Sequence, residues 1–247
     1  MHILFLTSWF PPTKLISGVA ESSFRTSMAL VENGCKVTVV CSDADLNGRL
    51  SEQDFKQLEN ARLVIKPYRY FLSKWIGLTF DIPKVLKNLG DVDVIIINEI
   101  FSPPAVSVAK YARMHGVPYL LIPRGALLPG AMKFSSIRKK LFMRFYGNKL
   151  LHDASGVIVT SLQEKNAVVN KYGYDEICRV IPNGCTIPPG VSTDDLMNIE
   201  RKWPQVKGKK IVLFMNRISR EKGLMMLVNA WKKLSKQHPD AILIIAG

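Results

Sequence analysis

The feature that most constrains this chain is a repeated alternation. A short, continuously apolar run is followed by a segment whose apolar residues recur at helical spacing, and then by another apolar run. Residues 3–7, 37–41, 93–97 (after its leading aspartate), 119–122, 156–160 and 178–181 are such runs. A run that is apolar at every position suits a strand buried on both faces, and strands separated by amphipathic helices stack as βα units on a parallel sheet. Between the first two runs, Ala20, Phe24, Met28 and Val31 line one helical face, and Gly34 supplies a left-handed stop. Pro104 suits a first helical turn, the Gly-Val-Pro at 116–118 closes that helix, and Ser161 with Glu164 has capping-box spacing before a later one. The pattern predicts an α/β fold built on a parallel sheet.

After residue 181 the chain changes character. Pro-Asn-Gly at 182–184 and Pro-Pro-Gly at 188–190 bracket a turn-rich connection. Runs at 211–215 and 241–246 then flank a helix with Leu224, Leu227, Trp231 and Leu234 on one face. The expected organisation is a domain over 1–182, a linker over 183–208 and a second domain over 209–247. Two strands and one helix, about forty residues, are too few for an independent core. We therefore expect a truncated second domain, or a partner chain that supplies the missing half. An apolar content of 47% supports a packed interior. No run approaches the roughly 18 apolar residues that span a bilayer. The apolar N-terminus lacks the basic leader and cleavage site of a signal peptide, so it reads as a first strand. Cys35, Cys41, Cys178 and Cys185 show no CxxC pair and no histidine at metal-ligand spacing, and are expected to be reduced thiols of a cytoplasmic protein.

Lys and Arg total 34 against 20 Asp and Glu, a net charge of +14. That balance points to a polyanionic partner: nucleic acid, an anionic membrane face or phosphorylated substrates. The basic residues form no nucleic-acid reader motif, so no nucleic-acid partner is expected. Lys133, Arg138, Lys139, Lys140, Arg144 and Lys149 fall in a stretch without acids, and Phe134, Ile137, Leu141 and Phe145 share one helical face. Such a helix lies on an anionic membrane surface, or it packs its apolar face into the core and solvates the other. The aromatic run of Tyr68, Tyr70, Phe71 and Trp75, with Arg69 and Lys74, favours the membrane.

The first strand is followed by Trp9-Phe10-Pro11-Pro12 and, further on, Ser17-Gly18-Val19-Ala20-Glu21. This is not a G-x-G-x-x-G turn, so dinucleotide binding is disfavoured. A glycine directly before a helix still lets backbone N–H groups approach a phosphate, unless Gly18 is merely a loop residue. Near the end of the chain Arg217 closes a strand and Lys222-Gly223 lead into a helix. Two cations there suit a diphosphate, the alternative being a solvated loop. Asp43-Ala44-Asp45 has the spacing of a metal-binding pair but reads as a solvated loop, so no metal is expected. Asn98 and Glu99 end the 93–97 run, at the sheet edge where parallel folds bind ligands. They are acceptor-contact candidates, or else strand-end caps.

Together these segments resemble glycosyltransferase family 4, retaining enzymes of the GT-B fold. Residues 214–224 are similar to its F-x-x-R-[L/I]-x-x-x-K-G signature, and 181–184 to its I-P-N-G stretch. Phe10-Pro11-Pro12 with Gly18 and Glu21 resembles its N-terminal loop, although Ser17 stands where many members have a second glycine. The resemblance runs from Met1 to Gly247. It implies a complete N-terminal Rossmann-like, acceptor-side domain and the first βαβ of a truncated donor-binding one. It also implies a nucleotide-sugar donor as co-substrate, without metal or other cofactor. Arg217, Lys222 and Gly223 would hold the donor diphosphate, approached by the Gly18 amide. Where many members place a histidine in the N-terminal cleft, this chain has Pro123-Arg124-Gly125, a form resembling enzymes of cell-surface polysaccharide and lipopolysaccharide assembly. Arg124 and Glu99 are accordingly the catalytic candidates. The implied acceptor is a lipid-linked saccharide or growing polysaccharide, met peripherally at the inner face of the plasma membrane. The family's E-x₇-E motif is expected beyond Gly247, so the chain alone is expected to lack transfer activity. The rival expectation is a non-catalytic acceptor-binding subunit.

Overall fold

The aliphatic run His2–Leu6 forms β1, an interior strand of a seven-stranded parallel sheet. The computed structural model describes residues 1–247 other than 16, 47, 73–76, 79–80, 134–135, 185–189, 191, 217 and 219–221. It divides into two compact units, Met1–Cys185 and Thr186–Gly247. The first unit continues with β2 (Lys36–Ser42), β3 (Leu63–Tyr68), β4 (Val94–Ile97), β5 (Tyr119–Leu121), β6 (Gly156–Val159) and β7 (Cys178–Val180). Their spatial order is β7-β6-β5-β4-β1-β2-β3. The chain thus steps outward from β1 to β3, returns to the other side of β1, and steps outward again. The switch point lies between β1 and β4, where doubly wound sheets open a ligand crevice at the strands' carboxyl ends.

Both faces of the sheet are covered, which is why its strands read as unbroken apolar runs. Leu4 and Leu6 join one core cluster with Val40, Ile95, Ile97, Leu121 and Val157. Their neighbours Ile3 and Phe5 join the opposite cluster with Val37, Val39, Leu63 and Ile96, as the period of two requires. Leu4, Phe5 and Leu6 are fully buried, and burying such a side chain contributes about 1.5–3 kcal/mol.

Helix α1 (Ser17–Glu32) buries Ala20, Ser23 and Ser27 and rests Phe24, Met28 and Val31 on the second cluster. It ends at Gly34, whose φ of 83° allows Gly34 N to donate to Val31 O and Cys35 N to Leu30 O, the paired bonds of a Schellman motif. Helix α2 (Pro103–His115) starts at Ser102, which accepts from Ala105 N, and stops at Gly116 with φ 65°.

Strand β3 interrupts a region where the sequence pattern showed no strand. Lys66 and Pro67 break its apolar run, and both suit the exposed edge that β3 forms, since proline offers no N–H to a further strand. The aromatic run is corrected with it. Tyr68 ends β3 fully buried and Tyr70 is half-buried, so neither is an exposed membrane contact. Lys74 and Trp75 lie outside the described residues. Asp43 and Asp45 do not sit in a solvated loop either. Asp43 is buried and accepts from Tyr70 N, Asp45 accepts from Lys14 N, and Ala44–Asp45 pairs antiparallel with Gly48–Arg49.

The basic stretch forms α3 (Ser136–Phe142), which runs through a π-helical turn at Met143–Gly147 into Asn148–His152. Met143, Leu150 and Leu151 face the core, whereas Ile137, Leu141 and Phe145 are 74%, 50% and 65% exposed. The core-packing alternative therefore fails for that face. Lys139 turns inward, its Nζ donating to Ala131 O and lying 5.3 Å from the Phe101 ring centre. Phe134 lies outside the described residues. Helix α4 (Leu162–Tyr172) is capped by Ser161, which accepts from Glu164 N.

The second unit corrects the picture of a plain linker. Helix α5 (Thr193–Lys202) begins there on a full capping box between Ser192 and Asp195. Strand β8 (Lys210–Met215), α6 (Leu224–Leu234) and β9 (Ala241–Ala246) follow, with β8 and β9 parallel from Lys210↔Ala241 to Met215↔Ala246. Leu224, Leu227 and Trp231 are partly buried, but Leu234, Ile211, Leu213 and Met215 are exposed. Cys35, Cys41 and Cys178 are buried free thiols, and Cys185 lies outside the described residues.

Candidate active site at the sheet switch point

The register of β1 against β4 sets the site. Leu6 pairs with Ile97, so Thr7-Ser8 and Asn98-Glu99 leave the sheet side by side, with Asn98 N donating to Leu6 O. Asn98 is buried, and both ends of its amide are committed. Its Nδ2 donates 2.9 Å to Ser23 Oγ on the second turn of α1, and its Oδ1 accepts from Arg124 Nε at 2.6 Å. Thr7 Oγ1 lies 3.3 Å from the same Ser23 hydroxyl. A hydrogen-bonded chain therefore ties β1, α1, β4 and the turn after β5 into one unit.

Arg124 ends that chain. It is half-buried, and its Nη1 donates to Asn183 Oδ1 at 2.5 Å, within the Ile181-Pro182-Asn183-Gly184 stretch. Partial burial lowers the guanidinium pKa, and the nearby Glu164 carboxylate opposes that shift. Among the described residues the two asparagines occupy two of its five N–H groups, which leaves donors for a ligand oxygen.

Glu99 stands beside Asn98. Its carboxylate accepts from Ser102 Oγ at 2.6 Å and Ser8 N at 3.2 Å. Burial pushes the carboxyl above the ordinary glutamate range, and those hydrogen bonds offset part of the rise. The Ser8 hydroxyl lies 3.4 Å from Tyr68 Oη, and Trp9 packs on Tyr70 with ring centres 5.9 Å apart. Glu99, Ser8 and Tyr68 are thus linked in one hydrogen-bonded cluster, with the Trp9–Tyr70 ring pair beside it.

Gly18 occupies the first turn of α1, and a β-carbon there would meet no atom within 4 Å. Packing does not demand this glycine. It borders an open cavity of about 440 Å³ shared with Pro11, Pro12, Thr13, Ala20 and Glu21. A larger groove of about 900 Å³ runs along the edge strand β3, lined by charges of both signs that include Lys66, Arg69 and Glu59. It meets the switch-point cluster at Tyr68, but most of its lining belongs to β3 and the segments beside that strand, and we do not assign the site to it. In the second unit Lys222 is exposed and Gly223, with φ 71°, caps α6. Arg217 lies outside the described residues.

Of the residues proposed from sequence, Asn98 and Arg124 are in direct contact and Glu99 adjoins them, while Lys222 and Gly223 belong to the other unit. Sequence reasoning missed Ser23, whose partner is 75 positions away, and it read Glu164 only as a cap.

A 3-2-1-4-5-6-7 parallel sheet is a doubly wound, Rossmann-like domain; with a further α/β unit after it, and by the solved structures it resembles, the chain belongs to the two-domain GT-B class of folds. The family described as Glycosyltransferase Family 4 matches residues 16–194, and Glycosyl transferases group 1 matches residues 197–247. The chain belongs to glycosyltransferase family 4. Among solved structures, Anabaena HepE in complex with UDP-glucose is similar over 99% of this chain and 60% of that one, with TM-score 0.72 and 21% identity. An Escherichia coli structure described as trehalose-6-phosphate bound with UDP-2-fluoro glucose is similar over 99% of this chain and 64% of that one, at TM-score 0.64 and 12% identity. The alpha-monoglucosyldiacylglycerol synthase of Streptococcus pneumoniae is 23% identical across 99% of this chain and 55% of its own length. The putative glycosyltransferase YtcC of Bacillus subtilis is 29% identical across 41% of this chain and 26% of its own. This chain therefore spans about half, or less, of those two relatives.

Proposed function

We propose that this chain takes part in transfer of a sugar from a nucleotide-sugar donor to a lipid-linked or polysaccharide acceptor in surface-glycan synthesis. The observation that carries this reading is Arg124, fixed by Asn98 and Asn183 at the switch-point crevice with donors to spare. In a chain of glycosyltransferase family 4, that guanidinium meets the sugar or its leaving diphosphate, where fixed cationic donors stabilise developing charge. The Gly18 amide, on an unobstructed helix N-terminus, approaches the diphosphate. Arg217, Lys222 and Gly223 supply the cationic turn of the donor side, and the scheme requires no metal. Glu99 contacts the acceptor.

The membrane part of the proposal rests on α3 and the turn after it. Ile137, Leu141 and Phe145 are exposed beside Lys140 and Arg144, in a chain of net charge +14. An exposed apolar row flanked by cations suits the interface of an anionic bilayer. One relative is named for a glucosyldiacylglycerol, a lipid product. The chain then works as a peripheral protein at the inner face of the plasma membrane. Among the described residues no helix is long and apolar enough to cross it.

The test is saturation-transfer NMR with a panel of nucleotide sugars that includes UDP-glucose. At least one donor should receive saturation from the protein. Arg124→Ala should weaken it by the worth of a charged hydrogen bond, about 1.5–3 kcal/mol. Gly18→Ala should weaken binding yet keep or slightly raise the melting temperature, because alanine is the better helix residue by roughly 0.4–1 kcal/mol. No transfer to any donor, or full binding in both variants, contradicts the proposal.

A further inference from the structure

Glu164 is an ionisable residue only 1% exposed. As the third residue after the helix cap Ser161, it would ordinarily return its carboxylate to the Ser161 amide and complete a capping box. It does not. Oε1 accepts from Gly125 N at 2.5 Å, across 39 positions of sequence, and Oε2 accepts from Thr160 N at 3.0 Å and Thr160 Oγ1 at 3.1 Å. Three donors satisfy a carboxylate that would otherwise be costly to bury.

The Gly125 amide is the informative partner. Arg124, just before it, has φ 55° and is the one non-glycine among the described residues in the left-handed region; Gly125 follows at φ 75°. A side chain with a β-carbon is disfavoured there, so such a turn persists only when its surroundings hold it. The side chain of Arg124 is held at its far end by Asn98 and Asn183, but those bonds restrain the guanidinium and not the turn. The turn itself is closed by Ala126 N donating to Pro123 O at 3.1 Å, and the side chain that anchors its backbone to the rest of the unit, on the far side of Arg124, is Glu164. If that anchor is released, relaxation toward the right-handed or extended region swings the Cα–Cβ bond and withdraws the guanidinium from Asn98.

We propose that Glu164 is the positioning residue for Arg124: its buried carboxylate fixes the left-handed turn that directs the guanidinium into the switch-point crevice. The same carboxylate opposes the effect of burial on the Arg124 charge. The consequence for ligand binding rests on the reading of Arg124 given above; the geometric role does not.

Glu164→Gln tests both parts separately in the ¹⁵N-labelled full chain. Glutamine keeps the shape but replaces one acceptor oxygen with a donor that faces other donors. The amides of β1 and β4 should keep their chemical shifts, showing an intact sheet. The Gly125 amide should exchange with solvent at least tenfold faster, and the Arg124 Nε–H resonance should move toward its solvent-exposed position. With UDP-glucose as probe, Kd should rise about tenfold, and Arg124→Ala combined with Glu164→Gln should bind no worse than Arg124→Ala alone. Unchanged Gly125 exchange and an unchanged Arg124 resonance overturn the proposal, as do additive losses in the double variant. If both resonances respond but UDP-glucose binds wild type, Arg124→Ala and Glu164→Gln equally, the positioning role stands and the donor-contact reading of Arg124 falls. Should Glu164→Gln not fold, Thr160→Val removes one donor to the carboxylate at nearly constant volume. It should shift the same two resonances in the same direction, and silence there overturns the proposal.

Discussion

The Glu99 carboxyl accepts from Ser8 and Ser102, yet its pKa lies above the ordinary glutamate range because burial outweighs those two bonds. A raised folded-state pKa means that the folded chain holds this proton more tightly than the unfolded one. Stability from this group is therefore full below the unfolded value and is lost as pH rises through the folded one. Glu99→Gln is neutral throughout and should escape the loss. Thermal melts from about pH 4 to about pH 7 should show wild type losing a few degrees against Glu99→Gln, since 1 kcal/mol shifts a chain of this size by about 2–4 °C. Parallel curves would mean that the carboxyl ionises freely. At this scale the sequence was only partly legible. Gly18, Glu99 and Arg124 stand out because each sits where a strand meets a turn or helix. The Asn98–Ser23 bond joins positions 75 apart, and the Glu164–Gly125 bond joins positions 39 apart, so nothing local announces either. Glu164 even carries a misleading local signal, since its cap spacing has a complete local explanation that the fold does not use.

Among the elements, β1, β2 and β4 were legible because burial on both faces demands uninterrupted aliphatic residues. Strand β3 was not, because an edge tolerates the lysine and proline that erase the pattern. Helix α5 was hidden in a polar stretch with no buried residue, although its Ser192–Asp195 spacing and the helical recurrence of Leu196, Ile199 and Trp203 both mark it. For α3 the sequence left two faces possible, and exposure of Ile137, Leu141 and Phe145 decides between them. The inward Lys139 belongs to the fold, so the informative cations are Lys140 and Arg144. At about 1 kcal/mol per cation near anionic lipid, replacing both with alanine should weaken liposome binding by about 2 kcal/mol, roughly thirtyfold. Co-sedimentation with phosphatidylglycerol vesicles at low salt measures it, and Phe145→Ser should lower it further. Equal sedimentation of all three proteins would remove the membrane from the account.

At the scale of the whole molecule the two units differ in how well their sheets are covered. The first has seven strands with both faces buried, whereas the second has a two-stranded sheet whose Ile211, Val212 and Leu213 are exposed. Two strands are marginal without further cover. Hydrogen exchange should find β1 and β4 protected by orders of magnitude more than β8 and β9. Uniform protection would show that the second unit's sheet is covered in solution. The central claim, however, concerns the first unit: the proposal that Arg124 and Gly18 at its switch point contact the nucleotide sugar whose donor side is completed by the second unit. The most direct measurement is to titrate the ¹⁵N-labelled chain with UDP-glucose and map the amide and Arg Nε–H shifts. The account predicts the largest shifts at Gly18, Ser8, Asn98, Arg124 and Gly125, with the edge groove beside Lys66 and Arg69 silent. Shifts centred on that groove, or saturable binding that leaves Arg124 and Gly18 unmoved, would contradict it.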